Sequence, residues 1–118
     1  MKRVILISVV LLLTACTTPR PWTKGEKAMA VASILATFAD GYSTNRMLSN
    51  PNNYEINPLM GKHPSKGRVY FTLALTEGMV ITLAHYFEDL RYWILGGKTF
   101  INVKWAIHNK NMPKEGER

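Results

Sequence analysis

The chain is 118 residues long, 47% hydrophobic, carries a formal charge of +7 and contains one cysteine. That length supports one domain with a modest core, and a single cysteine excludes an intramolecular disulfide. Nucleic acid is excluded as a partner class. The basic residues are spread over "RPWTKGEK", "GKHPSKGR" and "HNKNMPKEGER", and no basic helix face with interleaved aromatics occurs.

The chain begins with Lys2 and Arg3, followed by "VILISVVLLL", an apolar run of about ten residues. This is the length of a secretory h-region and too short for a transmembrane helix. Leu13, Thr14, Ala15 and Cys16 resemble the bacterial lipobox. The resemblance implies lipidation of the Cys16 thiol, cleavage before Cys16, and a membrane partner reached through the acyl chains. Each buried methylene contributes roughly 0.8 kcal/mol to such an anchor. Residues 1–15 are then a lipoprotein signal peptide and residues 16–22 a lipidated tether. Thr17 stands where Asp resembles an inner-membrane retention signal. The expected location is therefore the bacterial cell envelope, at the outer membrane facing the periplasm, with the inner membrane as the alternative. Loss of Lys2 and Arg3 with the leader leaves a charge of about +5, and basic residues beside an acylated terminus suit anionic headgroups.

"CTTPRP" reads as an extended spacer, with Trp22 either at the lipid interface or packed on the first helix. Thr23 and Glu26 form a capping box, which opens a helix running to about Leu48 or Ser49, where "SNPNN" stops it. Val31, Leu35, Phe38 and Tyr42 share one narrow arc of that helix. Almost opposite lie Ser33, Thr37, Asp40 and Thr44, a polar stripe without Lys, Arg or Glu, the composition of a buried hydrogen-bonding seam rather than a wet face.

A loop from about Ser49 to Pro64 follows. Its length marks it as functional or disordered, and Tyr54, Ile56, Leu59 and Met60 give it enough apolar surface to pack down in an ordered form. Asn57 before Pro58 suits an Asx turn, and Gly61 permits a turn that other residues resist. A second helix is predicted from Ser65 through "GRVYFTLALTEGMVITLAHYFEDL". Ala74, Gly78 and Thr82 repeat every fourth residue on it, spacing that lets another helix approach closely. Gly96 and Gly97 are expected to break the chain before a third helix, "KTFINVKWAIHNK", with Phe100, Val103 and Ile107 on one side. The predicted fold is therefore all-α: a compact bundle of about three helices in residues 23–110, with a long ordered loop between the first two and a polar tail in residues 111–118.

Residues 69–87 have the length of a membrane span, but Glu77 stands near the middle. A central charge costs roughly 2.5–3.5 kcal/mol on insertion scales, against 0.3–0.6 returned by each large aliphatic residue. A lipid-tethered helical domain is the expectation, and a transmembrane bundle the alternative.

The candidate polar centre is Asp40, Thr44, Glu55, Asn57, Glu77 and His85. The loop is expected to lock Glu55 and Asn57 by hydrogen bonds onto the first helix near Asp40 and Thr44. No catalytic residue, metal ligand or cofactor is assigned, since phosphate-loop, Gly-x-Ser-x-Gly and His-Glu-x-x-His spacings are all missing. "DGYST" followed by "YEINPLMG" is similar to a pattern in small bacterial helical membrane proteins of a domain-of-unknown-function family. That resemblance implies a three-helix architecture at a membrane and no reaction. Function is expected to be noncatalytic partner binding or a membrane-associated structural role in the envelope. The alternatives are a small membrane-surface enzyme or metal binder built on Asp40, Glu55, Glu77 and His85, and an integral inner-membrane helical protein.

Overall fold

The computed structural model describes residues 18–113; Cys16 and the rest of the lipobox lie outside them. Three helices pack together: α1 (Lys24–Met47), α2 (Lys66–Tyr86) and α3 (Arg91–Lys110), with a short 3-10 turn at Glu88–Leu90 before α3. No strand occurs among the described residues. The all-α bundle expected from the sequence is what the chain forms.

Local chemistry sets the helix starts. Thr23 Oγ1 accepts from the Glu26 amide at 3.2 Å, and Glu26 Oε2 accepts from the Thr23 amide at 2.9 Å, so both halves of the capping box form. Ser65 caps α2 by accepting from the Arg68 amide at 3.2 Å. The connection between α2 and α3 differs from the expectation. The break lies at Phe87 (φ −96°, ψ 67°), three residues before the expected end of α2 at Leu90, and α3 runs unbroken through Gly96 and Gly97. Arg91 explains both facts. Its guanidinium donates to the carbonyls of Ala84 at 2.9 Å and His85 at 3.0 Å, which the end of α2 leaves without helical donors. Two helical glycines cost about 1 kcal/mol each relative to Ala. The continuous inner face of Arg91, Leu95, Asn102 and Asn109, all buried, outweighs that cost.

α1 and α3 run parallel at a constant offset. Side-chain hydrogen bonds join Glu26 to Arg91, Thr37 to Asn102 and Thr44 to Asn109. α2 runs antiparallel to both and completes the bundle, Ser33 and Thr37 on α1 meeting Glu77 on α2. Gly41 lets α2 come close, since a methyl group there would lie 2.9 Å from the Tyr70 ring and 3.1 Å from Leu73.

The interior is polar and the exterior apolar. Buried side chains include Glu26, Ser33, Thr37, Asp40, Thr44, Thr72, Glu77, Arg91, Asn102 and Asn109, while the apolar cluster is small: Met60, Val69 and Leu73, with Leu48 against it. The polar stripe of α1 is thus the buried seam its composition suggests. The apolar arc of Val31, Leu35, Phe38 and Tyr42 faces outward instead, and so do Phe71, Leu75 and Met79 on α2 and Phe100, Val103 and Ile107 on α3. Ala74, Gly78 and Thr82 are exposed too, so no helix among the described residues uses their small-residue spacing.

Candidate functional site

The polar interior divides into three levels along the bundle. At the middle, the Glu77 carboxylate accepts from Ser33 Oγ at 2.7 Å and Thr37 Oγ1 at 2.8 Å, and Lys98 Nζ lies 3.4 Å from it. Asn102 Nδ2 donates to Thr37 Oγ1 at 2.6 Å. A carboxylate buried to this degree would be costly alone. Here a cation and two hydroxyl donors hold it.

The end of the bundle where α1 begins is a clamp. Arg20 grips Glu26 in a bidentate pair, at 2.6 and 3.0 Å, and Arg91 reaches the same carboxylate at 3.2 Å. Arg91 is fully buried, donates to the Arg20 carbonyl at 2.9 Å and lies 4.8 Å from the centre of the Trp22 ring. Trp22 Nε1 donates to His85 Nδ1 at 3.1 Å. This ties the tether onto α2 and α3. Trp22 therefore packs against the bundle, one of the two placements its sequence position allowed.

At the other end the long loop roofs a cavity of about 340 Å3. α1 lines it with Asp40, Thr44 and Met47, α3 with Trp105, His108 and Asn109, and the loop with Tyr54 to Pro58 and Met60. Asp40 accepts from Thr44 Oγ1 at 3.4 Å, and Thr44 in turn accepts from Asn109 Nδ2 at 2.9 Å. Glu55 Oε1 accepts from the amides of Ile56 and Asn57 at 3.0 and 2.9 Å. Asn57 Oδ1 accepts from the Leu59 amide at 3.0 Å, the expected Asx turn, and Gly61 takes a φ of 81°, as its place in the loop requires.

The six candidate residues do not form one centre. Asp40, Thr44, Glu55 and Asn57 share the cavity. Glu77 belongs to the middle network with Lys98, and His85 to the clamp with Trp22. The expected lock is also different. Glu55 and Asn57 bond within their own loop. Asn53 holds the loop instead, donating to the carbonyls of Met47 at 3.0 Å and Pro113 at 2.9 Å, while Asn50 reaches Pro113 at 3.2 Å. The start of the tail is therefore tied to the loop. Among the described residues no group of three His, Cys, Asp or Glu side chains comes together to hold a metal, so the Asp40, Glu55, Glu77 and His85 metal reading has no geometric support.

Sequence reasoning missed Lys98, Asn102, Asn109, Arg91 and Asn53. A signal existed for the α3 members. Arg91, Lys98, Asn102 and Asn109 fall at spacings of 7, 4 and 7, a polar stripe matching that of α1. The expected glycine break hid it by dividing the stripe between two elements. Compared with family models, with curated proteins and with solved structures, the chain gives no match.

Proposed function

We propose that this chain is a lipid-anchored helical protein of the bacterial envelope whose bundle is embedded in a bilayer, with a noncatalytic binding role at the loop cavity. One observation carries the reading: the outer surface of the three helices carries a single exposed charge between its ends. No exposed charged residue occurs on α1 between Lys27 and Arg46, nor on α2 between Arg68 and Tyr86, and on α3 Lys104 is the one exposed charge between Arg91 and Lys110. A lysine about 1.7 turns from the helix end at Lys110 reaches the interface by snorkelling.

Among the described residues no helix is long and apolar enough to cross a membrane, taken on its whole sequence. That average counts inward and outward residues alike, whereas lipid meets only the outward ones. Glu77, the charge that weighed against a span, is buried and paired, so its side chain does not face lipid. Polar groups that face a bundle interior are the tolerated kind in a membrane. The helix lengths of 24, 21 and 20 residues correspond to about 30–36 Å, against a hydrocarbon core of about 30 Å. Tyr and Trp residues gather toward the ends, with Trp22, Tyr86, Tyr92 and Trp93 at one and Tyr42, Tyr70 and Trp105 toward the other, as in interfacial belts.

Two features agree on orientation. Lipidation at Cys16 would fix the clamp end at the outer leaflet. Arg46, Lys62, Lys66, Arg68 and Lys110 gather at the loop end, which the positive-inside tendency assigns to the cytoplasm. A helical bundle of this kind belongs to the inner membrane, since outer-membrane spans are barrels, and embedding overrides the sorting expected from Thr17.

The test is a cysteine scan in a Cys16→Ser background. Leu35→Cys, Phe71→Cys and Phe100→Cys should resist an aqueous maleimide in sealed inside-out membranes and react after denaturation, while Lys62→Cys, on the exposed cytoplasmic face, reacts throughout. The Cys16→Ser protein should lose acyl labelling, keep its leader and resist carbonate extraction. Rapid labelling of all three band positions together with release by carbonate would replace embedding with a tethered domain whose apolar face a partner protein covers. Normal acyl labelling of Cys16→Ser would remove the lipidation reading.

A further inference from the structure

We infer that the loop-roofed cavity binds a small organic cation, an ammonium group attached to an apolar or aromatic body. The charge pattern is the first argument. Among the described residues Glu26 pairs with Arg20 and Arg91, Glu77 with Lys98, and Glu88 with Arg20. Asp40 and Glu55 both line the cavity and take part in no ion pair there, and its lining contains neither Lys nor Arg. The cavity lining thus sets two carboxylates against one imidazole, His108, within partly low-dielectric walls, and Lys98, whose charge also acts on Asp40, is already paired with Glu77. Two nearby carboxylates repel each other, and a cation between them relieves that repulsion.

The second argument is shape. A cavity of about 340 Å3 is far larger than a bare metal ion needs and falls within the range of small-molecule pockets, about 300–1,000 Å3. Its walls combine Trp105 and Tyr54 with Met47, Met60 and Leu73. Aromatic faces attract organic ammonium groups, and thioether side chains adapt to an irregular apolar body. The third argument is fixation. Gly61, the Asn57 turn and Asn53 hold the roof in one conformation, so the carboxylates are positioned before a ligand arrives. Such preorganisation reduces the ordering cost of binding.

The test uses the full-length protein in detergent micelles and titration calorimetry with benzyltrimethylammonium. Benzenesulfonate and benzyl alcohol report an anion and a neutral molecule of similar size. One saturable site is expected for the ammonium alone. Asp40→Asn keeps the side-chain shape and should weaken binding at least tenfold, and Trp105→Leu severalfold, each with an unchanged helical circular dichroism spectrum. If Asp40→Asn fails to fold, Glu55→Gln takes its place, since its amide oxygen still accepts from the loop amides. No saturable binding, equal binding of benzenesulfonate, or unchanged affinity in the folded Asp40 or Glu55 variant would overturn the inference. Micelles hold the cavity whether or not the bundle spans a bilayer, so failure here is separate from failure of the membrane reading.

Discussion

Thr37 Oγ1 accepts a hydrogen bond from Asn102 Nδ2 at 2.6 Å and donates its own to Glu77 Oε2 at 2.8 Å. One hydroxyl thereby joins all three helices at mid-height. Ser33 and Lys98 complete the group.

Removing Lys98 leaves the buried Glu77 carboxylate with two hydroxyl donors and no cation. Lys98→Met should destabilise the bundle by about 3–5 kcal/mol, the usual effect of leaving a buried carboxylate unpaired. Glu77→Gln combined with Lys98→Met should recover much of the loss, because the neutral amide keeps partners in Ser33 and Thr37. Unfolding in mixed micelles across the double-mutant cycle measures the coupling, and additive losses would contradict a shared network.

Gly41 and Gly78 should respond in opposite ways. A side chain at Gly41 meets the Tyr70 ring and the buried Leu73, so Gly41→Val should cost about 1–3 kcal/mol by overpacking. At Gly78 an added methyl group meets nothing within 4 Å, and Gly78→Ala should be neutral or stabilise by about 0.5–1 kcal/mol through reduced backbone freedom. Thermal melts of the two variants give the comparison. A second helix or subunit packed on the Ala74 and Gly78 face would reverse the Gly78 result.

Glu26 lies in the charged clamp, ahead of the uncharged band of α1. The Arg20 hydrogen bonds, with help from the Thr23 amide and Arg91, hold its carboxyl down at about 2 from an ordinary 4.5. A lowered folded-state value means that the unfolded chain takes up the proton first as pH falls. The clamp's contribution is therefore complete above about pH 5 and fades as pH drops from 4.5 toward 2. Carbon-13 NMR of the Glu26 carboxyl should show its midpoint near the bottom of that window. In Arg20→Ala the midpoint should rise, because the largest cause of the depression is gone. An unmoved midpoint would assign the depression to Thr23 and Arg91 instead.

The loop should depend on Asn53 more than on Asn57. Asn53 is buried and its amide satisfies two carbonyls from different parts of the chain, so Asn53→Ala should cost about 1–3 kcal/mol. Asn57 only closes its own turn and should cost less. Gly61→Ala puts a side chain at a φ of 81°, for about 1–2 kcal/mol. Proteolysis within residues 48–65 checks the order: Asn53→Ala should be cut fastest of the two Asn variants. Equal rates would return the lock to the turn itself.

The sequence by itself determined the helical class, the capping box at Thr23, the Ser65 cap, the Asx turn at Asn57, the need for glycine at 61 and the buried seam of Ser33, Thr37, Asp40 and Thr44. All of these depend on residues within about three helical turns of each other, where local hydrogen bonding and periodicity decide. Tertiary structure decided the rest. Glycines 96 and 97 stay helical because Arg91 reaches back to Ala84 and His85, a contact invisible to any local rule. Glu77 and His85 part company with Asp40 because the partners that satisfy them, Lys98 and Trp22, sit on elements far away in sequence. The direction in which the apolar arc faces was settled by which stripe found partners. α3 offered Asn102, Asn109 and Lys98, a buried polar group needs a partner more than an apolar one needs burial, and so the seam of α1 turned inward and its hydrophobic residues turned out.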